Sequence, residues 1–469
     1  MRKGIVKDIG KVFTSQVLGK VFSFFASVAV ARSLGVEQFG LLSYAFTLVY
    51  FVSLFVEFGT SANIVRSVAR NRETASSAFF ASVGLKSLQV LAVLLCCVFL
   101  VLVLGVKIKP VILLLLFLPP LEIVYLSSSA ILTSFEEFSH VARFGLFYDV
   151  TRALLVAVAA IVFKNLELVA VGYLLAACLA SVLICATLFK KGEMHLQGVD
   201  IRSVTKFYRN TFWLFLYGIA FQVYFKIDVL MLNAFKDASE VGLYTAAYKF
   251  FEVFLFVPAL IMGVLFPSFS RITDRDVYAR WVKEIQRYLS VFGMAIVLLF
   301  FVLSDQIIGL SYGSAFGGSA SILRVLALTL ALYFVNCVWP MSLNSRGFEK
   351  STLLCLGIGI AANVSLNLWL IPLLGAMGAA LATLFAELIV SICYFYFVNL
   401  RIGKAPFFSA VWKPVLACAT VILAGKICPP GNAYLVGALS IGIYAIMIVA
   451  LKAIRRTDWL LVRSALMTW

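Results

Sequence analysis

The sequence predicts an all-α integral membrane protein of about fourteen transmembrane helices. They form two parallel-related six-helix lobes followed by two further helices, with both termini cytoplasmic. Three observations predict it. First, hydrophobic residues make up 63% of the 469 positions and charged residues only 13%, with a mean hydropathy of +1.03. That is more apolar surface than a soluble domain can hide. Second, the apolar residues come in blocks of about 20 or more, the length a hydrocarbon core about 30 Å thick requires. Blocks this long are helices, because each must satisfy its own backbone in lipid. Third, the basic residues gather in alternate loops.

The blocks, in chain order, are residues 11–33, 38–63, 79–104, 110–133, 141–163, 168–189, 210–234, 241–267, 285–306, 319–343, 352–372, 376–399, 411–430 and 434–451. The first resembles a secretory leader with Ala29-Val30-Ala31 as its small-residue site. Lys20 interrupts its apolar core, however, and the segment has a counterpart later in the chain, so it reads as the first span. The connecting loops are too short for a soluble domain. The domain division that follows is 1–209 for the first lobe, 210–400 for the second, and 401–469 for spans thirteen and fourteen with the tail.

Orientation follows from Lys and Arg. With the N-terminus inside, inner segments hold 27 of the 39 basic residues and outer segments hold six: Arg32, Lys107, Lys109, Lys164, Lys236 and Lys426. The remaining six lie within spans. This is the positive-inside pattern of a chain with an even number of spans. The net charge of +17 therefore expresses topology and anionic headgroups rather than nucleic-acid binding. The nine cysteines lie in apolar helices without a C-x-x-C pair and read as small apolar residues. No metal or cofactor motif is present.

The two lobes rest on internal similarity. Gln38-Phe39-Gly40-Leu41-Leu42-Ser43-Tyr44-Ala45 opens the second span, and Glu240-Val241-Gly242-Leu243-Tyr244-Thr245-Ala246-Ala247 opens the eighth. Leu132-Thr133-Ser134 closes the fourth, and Leu343-Asn344-Ser345 closes the tenth. Val171-Gly172 in the sixth matches Met377-Gly378 in the twelfth. Such a pair of lobes suits a transporter that rocks about a central site. Gly375-Ala376-Met377-Gly378-Ala379-Ala380 is a small-residue stretch read as a helix-packing surface.

Two segments carry a family resemblance. Ala31-Arg32-Ser33-Leu34-Gly35-Val36-Glu37-Gln38-Phe39-Gly40-Leu41 resembles the opening of the Wzx-like polysaccharide-biosynthesis flippases of the MATE/MOP superfamily. Gly375 to Thr383, preceded by Asn363, Asn367 and Ile371-Pro372, resembles their eleventh and twelfth spans. The resemblance implies alternating-access movement of a polyprenyl-pyrophosphate-linked oligosaccharide from the inner to the outer leaflet of the cytoplasmic membrane. It implies cell-surface polysaccharide biosynthesis, with O-antigen, capsule, teichuronic-type and archaeal lipid-linked sugars all open as cargo, and with polymerase and assembly proteins as partners. The matching residues are structural and transfer no substrate-binding role.

Candidate site residues therefore come from physics, since a charge at bilayer depth is costly and marks function. The basic ones are Lys20, Lys86, Arg152, Lys226, Lys249 and Arg324. From a rise of 1.5 Å per residue, Lys20 lies about 13 Å from the inner end of span one and Lys86 about 10 Å from that of span three. Arg152 falls near mid-membrane, and Lys226 and Lys249 flank the outer turn at similar depth. They read as a relay that replaces the lost hydration of a pyrophosphate with charge-assisted hydrogen bonds. The alternatives are local pairing of Asp149 with Arg152 and of Lys249 with Glu252, and snorkelling of Lys20 and Lys86. Glu57, Asp228 and Glu252 are candidates for binding a coupling H⁺ or Na⁺.

Rival functions fit less well. The two histidines, His140 and His195, lie in loops, and no P-loop or H-E-x-x-H appears, so the chain reads as no enzyme. Asp274-Arg275-Asp276 has the D-x-D spacing of nucleotide-sugar transferases but reads as a solvated loop. A membrane-embedded glycan polymerase calls for a sizeable outer loop. An H⁺/Na⁺-coupled multidrug exporter calls for buried acids over bases, whereas this chain mixes them.

Overall fold

The computed structural model describes residues 2–57, 60–102, 108–191, 219–220, 222–272, 274–403, 407–427 and 433–453. Among them every regular element is a helix. Nine helical stretches among the described residues are long and apolar enough to cross a membrane, and Phe408–Ala424 and Leu435–Ala450 are shorter apolar helices. The chain is a multi-pass α-helical membrane protein. It divides into two compact units, residues 1–233 with 237–242, and residues 234–236 with 243–469. The expected boundary at 209/210 lies outside the described residues.

The first unit opens with α1 (Arg2–Glu57), which contains two spans. Its apolar stretch Gly10–Glu57 has 48 residues, about 72 Å as a straight rod, more than twice the hydrocarbon thickness. Gly35 divides it, with φ 83° and ψ 177°, a backbone that a residue with a Cβ adopts only under strain. α2 (Thr60–Arg70) completes the second span. α3 (Ala75–Leu102), α4 (Pro110–Leu115), α5 (Leu118–Ser134), α6 (Phe138–Val158) and α7 (Leu166–Lys190) follow. α8 covers 222–235; residues 210–218 and 221 of the expected seventh span lie outside the described residues.

α1 packs on α6, and α7 on both α5 and α6. Ile64, Ile131, Leu132, Ile184 and Leu188 are fully buried together with Val68 and Phe79 at one end of the unit. Gly172 brings α7 against the backbone of α6: a Cβ there would stand 3.3 Å from the Leu155 carbonyl carbon.

The second unit contains most of α9 (Ala238–Arg271), then α10 (Arg275–Tyr312), α11 (Ser319–Asn336), α12 (Val338–Asn344), α13 (Glu349–Leu374), α14 (Ala376–Arg401), α15 (Phe407–Ile427) and α16 (Ala433–Ala450). α10 packs on α11, α15 and α16, and α14 on α11 and α13. Gly378 does for α13 and α14 what Gly172 does for α6 and α7. A Cβ on it would overlap the Leu370 carbonyl, so the small-residue stretch is a packing surface.

Besides the second, two further expected spans are each built from two helices. The fourth breaks between α4 and α5, and the tenth between α11 and α12. Prolines account for both breaks. Pro119 and Pro120 have no N–H to offer the carbonyls of Leu115 and Leu116, and Pro340 has none for Asn336.

Candidate functional site

The bases expected at membrane depth are, with one clear exception, built into ion pairs or partly buried surfaces. In the first unit α3 carries Lys86, whose side chain is fully buried. Its Nζ donates to Glu57 Oε2 at 2.6 Å and to Ser127 Oγ on α5 at 3.4 Å. Ser127 in turn lies 3.2 Å from Ser82 Oγ. The other oxygen of Glu57 accepts the Ser61 backbone N–H at 2.8 Å. One carboxylate thus closes the end of α1, caps the start of α2 and neutralises a buried ammonium.

A second polar group links α1, α5 and α6. Arg152 Nη2 donates to Asp149 Oδ1 at 2.6 Å and to Ser23 Oγ of α1 at 2.9 Å. The guanidinium carbon stands 5.0 Å over the Tyr148 ring, a cation–π contact. The Tyr148 hydroxyl donates to Glu122 Oε1 of α5 at 2.7 Å. Gly19 makes the crossing possible, because a Cβ there would overlap the Asp149 carboxylate. Lys20, the next residue, is exposed and has no hydrogen bond or ion pair among the described residues. On α8, Asp228 is buried and Lys226 half-buried.

In the second unit Lys249 Nζ donates to Glu252 Oε2, one turn on in α9, at 2.9 Å. Arg324 of α11 pairs with Asp305 of α10. The structure therefore brings together Lys86 with Glu57, Arg152 with Asp149 and Lys249 with Glu252. The first and third of these each join a base expected to hold substrate to an acid expected to bind an ion. Ser23, Tyr148 and Ser127 were not singled out from the sequence. Tyr148 carries a signal, standing one helical turn from Arg152 with its ring on the same face.

Outside the membrane, Asp274 caps α10. Its Oδ1 accepts the backbone N–H groups of Asp276 at 2.8 Å and Val277 at 2.9 Å. These bonds hold its carboxyl below the usual aspartate range. The D-x-D spacing is accordingly a helix start. Among the described residues no group of three His, Cys, Asp or Glu side chains is placed to hold a metal.

Comparisons with known proteins fit this architecture. A "Probable flippase AglR" of Haloferax volcanii is 30% identical over 171 residues, 35% of this chain and 36% of that protein. A "Probable low-salt glycan biosynthesis flippase Agl15" of the same organism is 23% identical over 203 residues, 42% of each. The chain thus spans well under half the length of these curated relatives. Among solved structures, the inward closed lipid II flippase MurJ superposes with a TM-score of 0.78 at 17% identity, over 94% of this chain and 99% of that one. An inward-facing multidrug resistance MATE transporter of the MOP superfamily gives 0.63 at 16%, over 84% and 96%. These two likenesses carry the fold. A family model described as polysaccharide biosynthesis protein matches residues 5–273. That is more than half of the chain, which belongs to this polysaccharide biosynthesis protein family.

Proposed function

We propose that the protein is a flippase that moves a polyprenyl-pyrophosphate-linked oligosaccharide from the cytoplasmic to the outer leaflet by alternating access. The observation that carries the reading is the family match over residues 5–273. The flippase names of the AglR and Agl15 relatives support it, and so does the MurJ-like fold. The chain acts as a carrier and makes or breaks no bonds in its cargo. It resides in the cytoplasmic membrane with both termini inside, as the basic loops favour, and residues 1–209 and 210–400 act as the two rocking lobes.

Within this reading Lys20 is the first contact for the pyrophosphate. It is exposed at membrane depth and its charge is not spent on an internal carboxylate. Lys226 follows as a later station, and Lys249 joins it once Glu252 releases the ammonium. Arg152, Lys86 and Arg324 engage the anion only when their carboxylate partners yield, because a paired base offers little net field. Glu57, Asp228 and Glu252 are the acids that an H⁺ or Na⁺ would occupy.

The test is flipping in proteoliposomes. A fluorescent polyprenyl-pyrophosphate oligosaccharide is incorporated, and its arrival in the outer leaflet is read with an impermeant lectin. Wild type should flip it, and Lys20→Ala should slow flipping at least tenfold with the fold intact by circular dichroism. Flipping that survives Lys20→Ala, Lys226→Ala and Lys249→Ala keeps the activity and removes the relay. No flipping, together with gradient-driven efflux of cationic dyes, assigns the protein to multidrug export.

A further inference from the structure

The two units end one of their helices in the same turn and give it opposite charge. Leu132-Thr133-Ser134 closes α5, and Leu343-Asn344-Ser345 closes the second unit's α12. In both, the N–H five residues on returns to the leucine carbonyl at 2.9 Å, from Glu137 to Leu132 and from Phe348 to Leu343. The residue before it, Glu136 or Gly347, has a positive φ of 60° or 80°. This is the Schellman way of ending a helix. Each turn is also braced by a cation–π contact, with the partners exchanged. The Arg72 guanidinium carbon stands 5.1 Å over the Phe135 ring. At the matching place in the second turn, the Arg346 carbon stands 4.3 Å over the Tyr278 ring.

The first turn continues into two acids, Glu136 and Glu137, and Glu137 holds Lys191 at 2.5 Å. The second continues into Gly347 and Phe348, and bases surround it. Lys350 is exposed one turn on, and the carbon of Arg401, the exposed last residue of α14, lies 5.8 Å over the Phe348 ring. Among the described residues none of Arg346, Lys350 and Arg401 has a carboxylate partner. The neighbouring acid, Glu349, is exposed and pairs with none of them among the described residues.

Arg346 is half-buried and rigidly placed. Tyr278 beneath it is 2% exposed, and its hydroxyl lies 3.1 Å from both the Ser342 carbonyl and Ser345 Oγ. The ring covers one face of the guanidinium and leaves its edge donors to other partners. Yet Arg346 Nε is buried with no hydrogen-bond partner. Buried donors nearly always have one, and an orphan on a charged group is the costlier kind. A cation with an orphaned donor and no acid calls for an anion, and the planar fork of Nε and Nη matches two oxygens of a phosphate. Depth agrees. α10 has 38 residues, about 57 Å, so its two ends cannot both lie in a hydrocarbon core about 30 Å thick. Tyr278, in its first turn, stands at headgroup level.

We propose that Arg346, flanked by Arg401 and Lys350, binds the phosphate group of a membrane lipid at the end of the second unit that the basic loops assign to the cytoplasm. Arg346 makes the two-pronged contact, and the other two bases add charge. Arg72 has no such role, because the acids that follow Phe135 make its turn unfavourable for an anion. Two lipids present this chemistry there. One is an anionic phospholipid of the inner leaflet. The other is the polyprenyl pyrophosphate of the cargo, which rests on the flippase reading.

The experiment is native mass spectrometry of the full chain in detergent micelles. The chain is titrated with phosphatidylglycerol, with polyprenyl pyrophosphate, and with oleate as an anionic lipid without phosphorus. Wild type should retain at least one phosphate lipid more tightly than oleate. Arg346→Gln should weaken that binding about tenfold or more, the worth of a charge-assisted hydrogen bond. Arg346→Lys should recover only part of it, since an ammonium lacks the fork. Arg401→Gln, at an exposed position, should weaken it severalfold and keeps the test decisive if Arg346→Gln misfolds. Arg72→Gln should leave it unchanged. Arg346-dependent binding of phosphatidylglycerol supports the site with a structural lipid as its ligand, and that of polyprenyl pyrophosphate supports it with the cargo. Equal binding of both phosphate lipids by wild type, Arg346→Gln and Arg401→Gln overturns the proposal. So does oleate held as tightly as the phosphate lipids, or a loss in Arg72→Gln as large as in Arg346→Gln. Flipping measured on the same preparations separates the two readings: Arg346-dependent phosphatidylglycerol binding in a protein that does not flip keeps the site and removes the flippase.

Discussion

Lys86 shows how narrowly a charge is accommodated in the apolar interior. Its ammonium is fully buried and has Glu57 at 2.6 Å. Removing one member of a buried pair leaves the other uncompensated, at a cost of about 3–5 kcal/mol. Lys86→Met should therefore destabilise the protein by about that amount in reversible denaturation in detergent micelles. Adding Glu57→Leu to Lys86→Met should recover most of the loss, because the pair as a whole gains little over packed hydrocarbon. A double variant no more stable than the single one rules out the ion pair as the cause. The sequence shows both residues but not their meeting. They are 29 positions apart, and they meet because the chain reverses between α2 (Thr60–Arg70) and α3 (Ala75–Leu102). Asp149 and Arg152 are three positions apart and were legible as a pair from helical spacing alone.

At the scale of the element, the helices were legible because in lipid every span must satisfy its own backbone, which turns apolar length directly into helix. The breaks inside the fourth and tenth spans were less legible, since proline permits several kinks and neighbouring helices choose among them. The start of α10 is a sharper case. The Asp274 carboxylate receives two backbone N–H groups, and its carboxyl is held below the ordinary aspartate range. A depressed pKa means that the stabilisation is complete above the unfolded value, about 3.9, and is lost as pH falls through the folded one. Protection of the Asp276 and Val277 amides, relative to unstructured amides at the same pH, should fall below about pH 4 in wild type, and Asp274→Ala should show the lower protection already at neutral pH. Exchange that is the same in both proteins across the range removes the cap.

For the whole molecule, the distribution of basic loops sets the expected orientation. Single cysteines at Lys109 and Lys191, in a background without other cysteines, should react with an impermeant maleimide from opposite sides. Lys109→Cys should label in intact cells and Lys191→Cys only after permeabilisation; the reverse pattern inverts the topology. The site was less legible than the fold for a reason visible at this scale. A list of bases in spans does not disclose which acids neutralise them, and Ser23 and Arg152 stand 129 positions apart. The pairing has an electrical consequence. Lys86 with Glu57, Arg152 with Asp149, Lys249 with Glu252 and Arg324 with Asp305 each sum to zero, so moving them intact through the transmembrane field does no net work. Under the proposed function, a voltage worth about 2.3 kcal/mol per charge per 100 mV then acts on the anionic cargo and on Lys20, and these four pairs add nothing to the electrical work.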